Sequence, residues 1–152
     1  MTEPRATTLR FQGAANTIAH ALLRVPLLSR LVGRRLMVID VVGRTSGKVY
    51  RVPVAYTPHD GALLVGTPFP WGRNLRTGEP VTILLKGRRT TADVTVLTDE
   101  TDVVTAYETM ARDNRQFASF NKIGLDEQGV PDPEDLRLAW QAGARAFRLT
   151  PA

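Results

Sequence analysis

The sequence predicts a mainly β domain with flanking helices, whose strands form an antiparallel barrel. Three observations predict this fold class. The chain has 152 residues, which suits a single domain. About six segments have the β-rich or alternating pattern of strands, and five of them follow one another through mostly short loops. This order favours an antiparallel barrel over a parallel sheet, because parallel neighbours need a long crossover, usually a helix.

Residues 1–35 form a predicted N-terminal extension ahead of a barrel domain over residues 36–152. Apolar side chains recur at helical spacing over residues 7–24, which predicts an amphipathic helix. Pro26 is expected to kink or end it. The longest apolar run is far below the ~20 residues that a transmembrane helix needs, and no signal peptide is recognisable.

Strands account for most of the barrel domain. A tight turn at Gly87-Arg88 is expected to join two of them. Pro53 is expected to lie at a sheet edge or a bulge, because proline has no N–H to donate to a neighbouring strand. The predicted strands span residues 36–42, 48–56, 62–66, 80–86, 89–97 and 144–149.

Two helices are predicted in the C-terminal third. One runs from residue 99 to about residue 117 and has acidic residues in its first turn, which the helix dipole favours. The other spans residues 133–142 and opens with Pro133. A turn-rich loop over residues 124–132 separates them, so both helices are expected to flank the barrel.

The net charge of +5 is unevenly distributed. Residues 1–35 carry six arginines and one acid, Glu3, and so account for all of it. Residues 44–89 carry eight basic and two acidic side chains, whereas residues 90–152 carry six basic and eleven acidic ones. Basic segments attract nucleic acids, anionic membranes or anionic small molecules. Nucleic acid is disfavoured, because no helix-turn-helix pattern is present and the basic strands lack interleaved aromatic residues.

Several chemistries are excluded or unsupported. The absence of cysteine rules out disulfides, thiolate zinc sites and a cysteine nucleophile. His20 and His59 are isolated, so no metal site is expected. Ser46 has no evident base partner, and the sequence therefore identifies no catalytic residue.

Two polar segments are candidate binding sites. Residues 43–48 (GRTSGK) combine glycines, hydroxyls and two cations, which is typical of an anion cradle, although a polar hairpin turn has the same composition. Residues 71–76 (WGRNLR) carry an indole that can cover a planar ligand, or that can instead anchor the loop by burial. The residues alone leave both pairs of alternatives open.

Short motifs occur along residues 36–152 in a familiar order: GRTSG at 43–47, RVPV at 51–54, WGRNL at 71–75 and RLTP at 148–151. Their order and spacing resemble those of the deazaflavin (F420)-dependent nitroreductases, a branch of the flavin/deazaflavin oxidoreductases. The resemblance implies a split antiparallel β-barrel with flanking helices, like that of pyridoxamine-phosphate-oxidase-like proteins. It also implies that reduced F420 binds in a groove of this barrel.

The resemblance also implies which residues contact the cofactor. Residues 44–48 would hold its phosphate-side tail, and Pro53 would lie beneath the ring system. The residues that would border the deazaflavin are Gly66, Thr67, Trp71, Arg73 and Asn74. The chain departs from many members at Tyr50, where they have arginine, and in its short loop between Gly66 and Trp71. The implied cofactor-binding residues are Arg44, Thr45, Ser46, Gly47, Lys48, Arg51, Pro53, Gly66, Thr67, Trp71, Arg73 and Asn74.

The activity implied by the resemblance is hydride transfer from reduced F420 to a small organic acceptor of the quinone, enone or nitroaromatic type. The cofactor supplies the redox chemistry, so no catalytic dyad is needed. Two alternatives stay open: an FMN-binding relative, and a non-enzymatic module that holds F420 or a lipid-like ligand at a membrane.

The expected location is the cytoplasm. Residues 1–35 are expected either to contact the inner face of an anionic membrane or to pack on the barrel. The resemblance also makes a homodimer a fair expectation.

Overall fold

The computed structural model describes residues 35–152, which form one curled antiparallel sheet with helices on its outer side. The predicted helix over residues 7–24 lies outside the described residues. The sheet has seven strands: β1 (Leu36–Val42), β2 (Val49–Ala55), β3 (Thr57–His59), β4 (Ala62–Thr67), β5 (Val81–Leu85), β6 (Arg88–Leu97) and β7 (Arg145–Pro151). Their order across the sheet is β2-β1-β5-β6-β7-β4-β3.

The sheet curls into a barrel because its two edge strands are consecutive in the chain. Only Tyr56 separates Ala55 at the end of β2 from Thr57 at the start of β3, so these two edges lie within about 7 Å of each other. Among the described residues β2 pairs with β1, and no hydrogen-bonded ladder joins β2 to β3 or to β4. The fold is therefore the split antiparallel β-barrel that the sequence predicts.

Neighbouring strands alternate in direction, so the connections divide between two ends of the barrel. The upper end comprises the turn at residues 43–48, the loop at residues 67–75 and the start of β7 at Arg145. The lower end comprises the turns at residues 60–61 and 86–87 and the start of β1. Every segment in which the sequence analysis found a binding motif, apart from β2, thus lies at the upper end.

Two apolar clusters hold the layers together. The first fills the barrel interior, where Ile39, Val65, Ile83, Phe147 and Leu149 are fully buried. Each such side chain contributes about 1.5–3 kcal/mol through burial. The second lies between the outer side of β4 and β7 and the helices. The alternation of strand side chains determines which cluster each residue joins.

Three helices cover β4 and β7: α1 (Glu100–Asp113), α2 (Arg115–Phe120) and α3 (Pro133–Gln141). The prediction of one continuous helix to about residue 117 was wrong. Asn114 has an extended backbone, and its side chain accepts hydrogen bonds from the N–H groups of Gln116 and Phe117, which caps α2. Within residues 35–152, no helix is long and apolar enough to cross a membrane.

The strands match the sequence predictions except at two places. Residues 57–59, which follow the predicted strand over residues 48–56 and were not predicted as a strand, form the additional strand β3. The turn between β5 and β6 lies at Lys86-Gly87, one residue earlier than predicted. Both of these residues have positive φ, 51° and 79°, as the type I′ turn that suits the twist of a hairpin requires. The edge position predicted from Pro53 is confirmed.

Candidate functional site

The turn between β1 and β2 has a defined shape that its own groups maintain. The N–H of Gly43 donates to the carbonyl of Lys48 at 2.8 Å, and the N–H of Gly47 donates to the carbonyl of Gly43 at 2.9 Å. Ser46 Oγ accepts from the N–H of Lys48 at 3.2 Å. Gly47 has φ of 71°, which costs glycine little because it has no Cβ. The turn is therefore preorganised, with Thr45 and Ser46 exposed at its tip.

This turn is bound to a short 3₁₀ helix (Pro70–Asn74) in the loop after β4. Asn74 Oδ1 accepts from the N–H of Arg44 at 3.0 Å, and the Arg44 guanidinium donates to the carbonyl of Arg73 at 3.4 Å. Asn74 also donates to the carbonyl of Trp71 at 3.1 Å. The two sequence segments that carry the candidate binding residues thus form one surface.

The surface is basic and rich in free donors. Arg44, Lys48 and Arg73 are exposed, and within residues 35–152 none of them forms an ion pair with a carboxylate. In the same part of the chain, the backbone N–H groups of Thr45 and Ser46 have no hydrogen-bond acceptor. Cations beside unpaired N–H groups at a turn suit a phosphate or a carboxylate.

Trp71 anchors the loop against the barrel interior. Its ring stacks on Phe147 with 6.3 Å between centroids and 22° between planes, and it remains half-buried. Gly72 allows this close approach, because a Cβ there would lie 2.9 Å from Thr67 Cγ2 and 3.0 Å from Phe147 Cζ. The anchoring role proposed for the indole is therefore present, and contact with a ligand stays a prediction.

Gly66 and Thr67 make packing contacts. A Cβ on Gly66 would lie 2.6 Å from the ring of Tyr107 of α1, so only glycine fits there. Burial raises the pKa of Tyr107, and its hydroxyl donates to the carbonyl of Arg145 at 3.4 Å. Thr67 is buried, and its Oγ1 accepts from the N–H of Phe69 at 3.0 Å.

Arg51 and Pro53 lie elsewhere, on the outer face of the sheet. Arg51 Nε is 3.9 Å from Asp40 Oδ1, and the Arg89 guanidinium donates to Asp40 Oδ2 at 2.9 Å. Pro53 stands opposite Val38 in β1. The twelve predicted cofactor residues therefore divide among three places. Nine lie at the upper end (residues 44–48, 67, 71, 73 and 74), two on the outer face (residues 51 and 53) and one on the packing surface beneath α1 (residue 66).

Three side chains at the upper end were not identified from the sequence. Phe120 of α2 is 47% exposed and meets Phe69 edge to face, with 6.1 Å between the ring centroids. Arg145 lies beside Thr67 across the β4–β7 pair. The sequence pattern of the last strand could have identified Arg145, because side chains alternate along a strand and Arg145 therefore lies on the same face as Phe147.

Within residues 35–152, no group of three or more histidine or acidic side chains is arranged to hold a metal ion. His59 lies at the lower end of the barrel, next to Asp60 at 3.2 Å. The candidate site is thus a basic, donor-rich surface beside aromatic rings, with no described metal-binding group.

Comparison with known proteins supports the fold. The structure of HutZ, the heme storage protein from Vibrio cholerae, matches with a TM-score of 0.50 and 12% sequence identity, covering 84% of this chain and 89% of that chain. A pyridoxamine 5'-phosphate oxidase-related, FMN-binding protein from Nostoc punctiforme matches with a TM-score of 0.47 and 16% identity, covering 95% of this chain and 82% of that chain.

A conserved hypothetical protein from Mycobacterium tuberculosis matches with a TM-score of 0.49 and 12% identity, covering 97% of this chain and 83% of that chain. No family model and no curated protein matches the chain. Likeness at such low identity concerns the fold alone. The sheet topology makes the fold a split antiparallel β-barrel, and membership of the deazaflavin-dependent nitroreductases stays a prediction.

Proposed function

We propose that this chain is an oxidoreductase that binds reduced F420 at the upper end of its barrel and uses it to reduce a small organic acceptor. The observation that carries the proposal is the joined surface of the 43–48 turn and the 3₁₀ helix. There the backbone N–H of Arg44 donates to Asn74 Oδ1 at 3.0 Å, and the Arg44 guanidinium makes a longer contact of 3.4 Å with the carbonyl of Arg73. Two of the four sequence motifs that resemble those of F420-dependent enzymes, at residues 43–47 and 71–75, contribute to this same surface.

The residues present fit an anionic, planar cofactor. Arg44, Lys48 and the free N–H groups of Thr45 and Ser46 would hold a phosphate or an oligoglutamate tail. Trp71 offers a half-buried aromatic ring beside them. When bound, reduced F420 would supply a hydride to the acceptor.

The chain itself would bind, orient and shield the reacting molecules. Trp71 and the Phe69–Phe120 pair would exclude water from the apolar side of the site. A proton donor is not assigned. Tyr107 is unsuitable, because it is fully buried and its pKa is raised by that burial.

FMN is the second candidate, because it is also planar and carries a phosphate that the same surface would accept. Heme, which HutZ is named for storing, is less suited, since the described histidine, His59, lies at the opposite end. A non-enzymatic role in holding F420 or a lipid-like ligand at a membrane is the third candidate.

The proposal is tested by fluorescence titration of the full chain with reduced F420 and, separately, with FMN. Saturable F420 binding at micromolar protein, followed by oxidation of bound F420 with a quinone, enone or nitroaromatic acceptor, is the expected result. Tighter binding of FMN would identify the flavin-binding relative, and F420 binding without turnover would identify the non-enzymatic module. Absence of saturable binding by either cofactor would refute the proposal.

Membrane contact and dimerisation belong to the same proposal. Deleting residues 1–30 should reduce binding to anionic liposomes while cofactor affinity is unchanged. Unchanged liposome binding would remove the membrane role, and sedimentation of the full chain measures the oligomeric state.

A further inference from the structure

Arg145 differs from the other cations of the described chain in its environment. It is half-buried at the start of β7, whereas most arginines and lysines of residues 35–152 are exposed. The two other half-buried cations each have an acid nearby: Arg35 pairs with Asp113, and Arg148 lies close enough to Asp102 to interact with its charge. Arg145 has no carboxylate partner among residues 35–152.

The hydrogen bonds of Arg145 do not compensate for this. Its guanidinium donates to the neighbouring carbonyl of Ala144 at 3.4 Å, which is longer than a good N–H···O bond. A guanidinium has five N–H donors in a planar fork, so most of them remain available. Partial removal of a cation from water costs free energy unless an anion or hydrogen-bond acceptors replace the water. An anion at this position would provide that replacement.

The register of β7 puts Arg145 at the candidate site. Arg145 stands opposite Thr67, and Phe147 stands opposite Val65. Because strand side chains alternate, Arg145 shares the interior-facing side of β7 with Phe147, on which Trp71 stacks. A planar molecule lying against Trp71 would therefore have its edge near the guanidinium.

The position also differs from that of the 43–48 turn. β5 and β6 lie between β1 and β7 in the sheet, so Arg145 and the 43–48 turn belong to strands that are not neighbours. The upper end therefore has two basic features, one at the 43–48 turn and the other at the start of β7.

We propose that Arg145 binds an anionic oxygen group, a carboxylate or a phosphate, on a ligand at the upper end. The inference rests on the proposed function and narrows it to acceptors that carry such a group. A carboxylate or phosphate on a distal part of the cofactor, in place of one on the acceptor, is the other anionic group that Arg145 would bind. Arg145 is a binding residue in either case, and takes no part in proton or hydride movement.

The experiment uses the full chain with Arg145→Met, which removes the charge and keeps the length, and Arg145→Lys, which keeps the charge and loses the fork. Arg88→Met is the matched control, because Arg88 is an exposed arginine at the lower end. Two acceptors that differ only in a carboxylate and a carboxamide are compared by kcat/KM. Cofactor affinity is measured separately by fluorescence.

A roughly tenfold loss of kcat/KM for the carboxylate acceptor in Arg145→Met, with the carboxamide acceptor within about twofold, is expected. For the carboxylate acceptor, the kcat/KM of Arg145→Lys should lie between that of Arg145→Met and that of the unaltered protein. The kcat/KM of Arg88→Met should match that of the unaltered protein. A tenfold loss of cofactor affinity with unchanged acceptor preference would support the proposal with the cofactor as the source of the anion. Unchanged values on both measurements would overturn it.

Binding of benzoate, with benzamide as the uncharged probe, tests Arg145 without the proposed function. The side-chain N–H signal of Arg145, identified by its loss in Arg145→Met, is followed by NMR during each titration. A saturable shift with benzoate and none with benzamide is expected even if no cofactor binds. Inorganic phosphate is the second probe. Absence of a shift with both benzoate and phosphate would overturn the inference.

Discussion

At the lower end of the barrel Asp113 accepts hydrogen bonds from Arg35 and Thr57, whereas at the upper end Arg44 and Arg145 have no carboxylate partner within residues 35–152. Asp113 joins the last turn of α1 to the starts of β1 and β3, so its bonds hold the barrel closed there. The guanidinium groups of Arg44 and Arg145 each donate to one backbone carbonyl, at 3.4 Å in both cases, and have no bond as short as those of Asp113. Charges at one end therefore maintain the fold, and charges at the other end remain available to a ligand.

Phe147 supports both the barrel and the upper site, so its removal is expected to have the largest effect. Phe147→Ala should lower the free energy of unfolding by about 4 kcal/mol, because a fully buried ring leaves a cavity. Trp71 would lose its stacking partner, and its fluorescence should change. Urea unfolding measures the stability. Leu84→Ala, at a side chain that is 40% exposed, is the control and should cost less than about 1 kcal/mol.

Asp113→Ala removes the lower junction. We expect a loss of about 2 kcal/mol, since the buried Thr57 hydroxyl and the Arg35 guanidinium both lose their acceptor. Cofactor affinity should not change, because the substitution is at the opposite end. In a Thr57→Val background the same substitution should cost about 1 kcal/mol less. Equal costs in both backgrounds would mean that Thr57 and Asp113 are not coupled.

Tyr107 connects α1 to the upper end, and it makes the free energy of unfolding depend on pH in alkaline solution. Its pKa is raised by burial, so above pH ~10 the unfolded chain loses this proton and the folded chain keeps it. The contribution of the neutral Tyr107 to the free energy of unfolding is fully present below pH ~10. Above that pH it falls by about 1.4 kcal/mol per pH unit. In Tyr107→Phe the free energy of unfolding should fall less steeply between pH 10 and 11, because the phenol that causes this part of the slope is absent. Identical slopes in both proteins would contradict the buried, neutral phenol.

Substitution of both Arg44 and Lys48 by methionine should leave stability within about 0.5 kcal/mol, because both side chains are exposed. The affinity for the anionic cofactor should fall about tenfold or more, and its dependence on salt should weaken. The matched control replaces Lys86 and Arg88, which flank the lower turn. An equal loss of affinity in the control would indicate general attraction by net charge, without a specific surface.

The order of the elements followed from local patterns. Alternating apolar side chains identified six of the seven strands, and Pro53 indicated an edge. The wrong predictions for residues 57–59 and for the helix over residues 99–117 depend on specific hydrogen-bonded partners, which composition and alternation do not reveal. Residues 57–59 form a strand only because β4 pairs with them. The break at Asn114 depends on a side-chain cap, which competes with the helix that the surrounding composition favours.

The candidate site was only partly accessible from the sequence. The 43–48 and 71–74 segments were identified because glycine, arginine and asparagine have local chemistry that is visible in a motif. Gly66 was assigned to the cofactor by resemblance, yet in the fold it makes room for Tyr107. Arg145 has no motif around it, and its significance depends on partial burial and on the absence of a nearby acid in the described chain.

The sequence by itself determined that the barrel is antiparallel, that proline marks an edge strand, and that basic residues concentrate near two turns. These properties depend on each residue and its near neighbours, through backbone preferences and side-chain alternation. Only the tertiary structure decided that the two turns meet, that Arg51 and Pro53 lie on the outer face, and that Arg145 joins the upper end. Strand pairing and loop contacts between distant residues determine these positions, because β7 pairs with β4, β2 pairs with β1, and Asn74 bonds to the 43–48 turn.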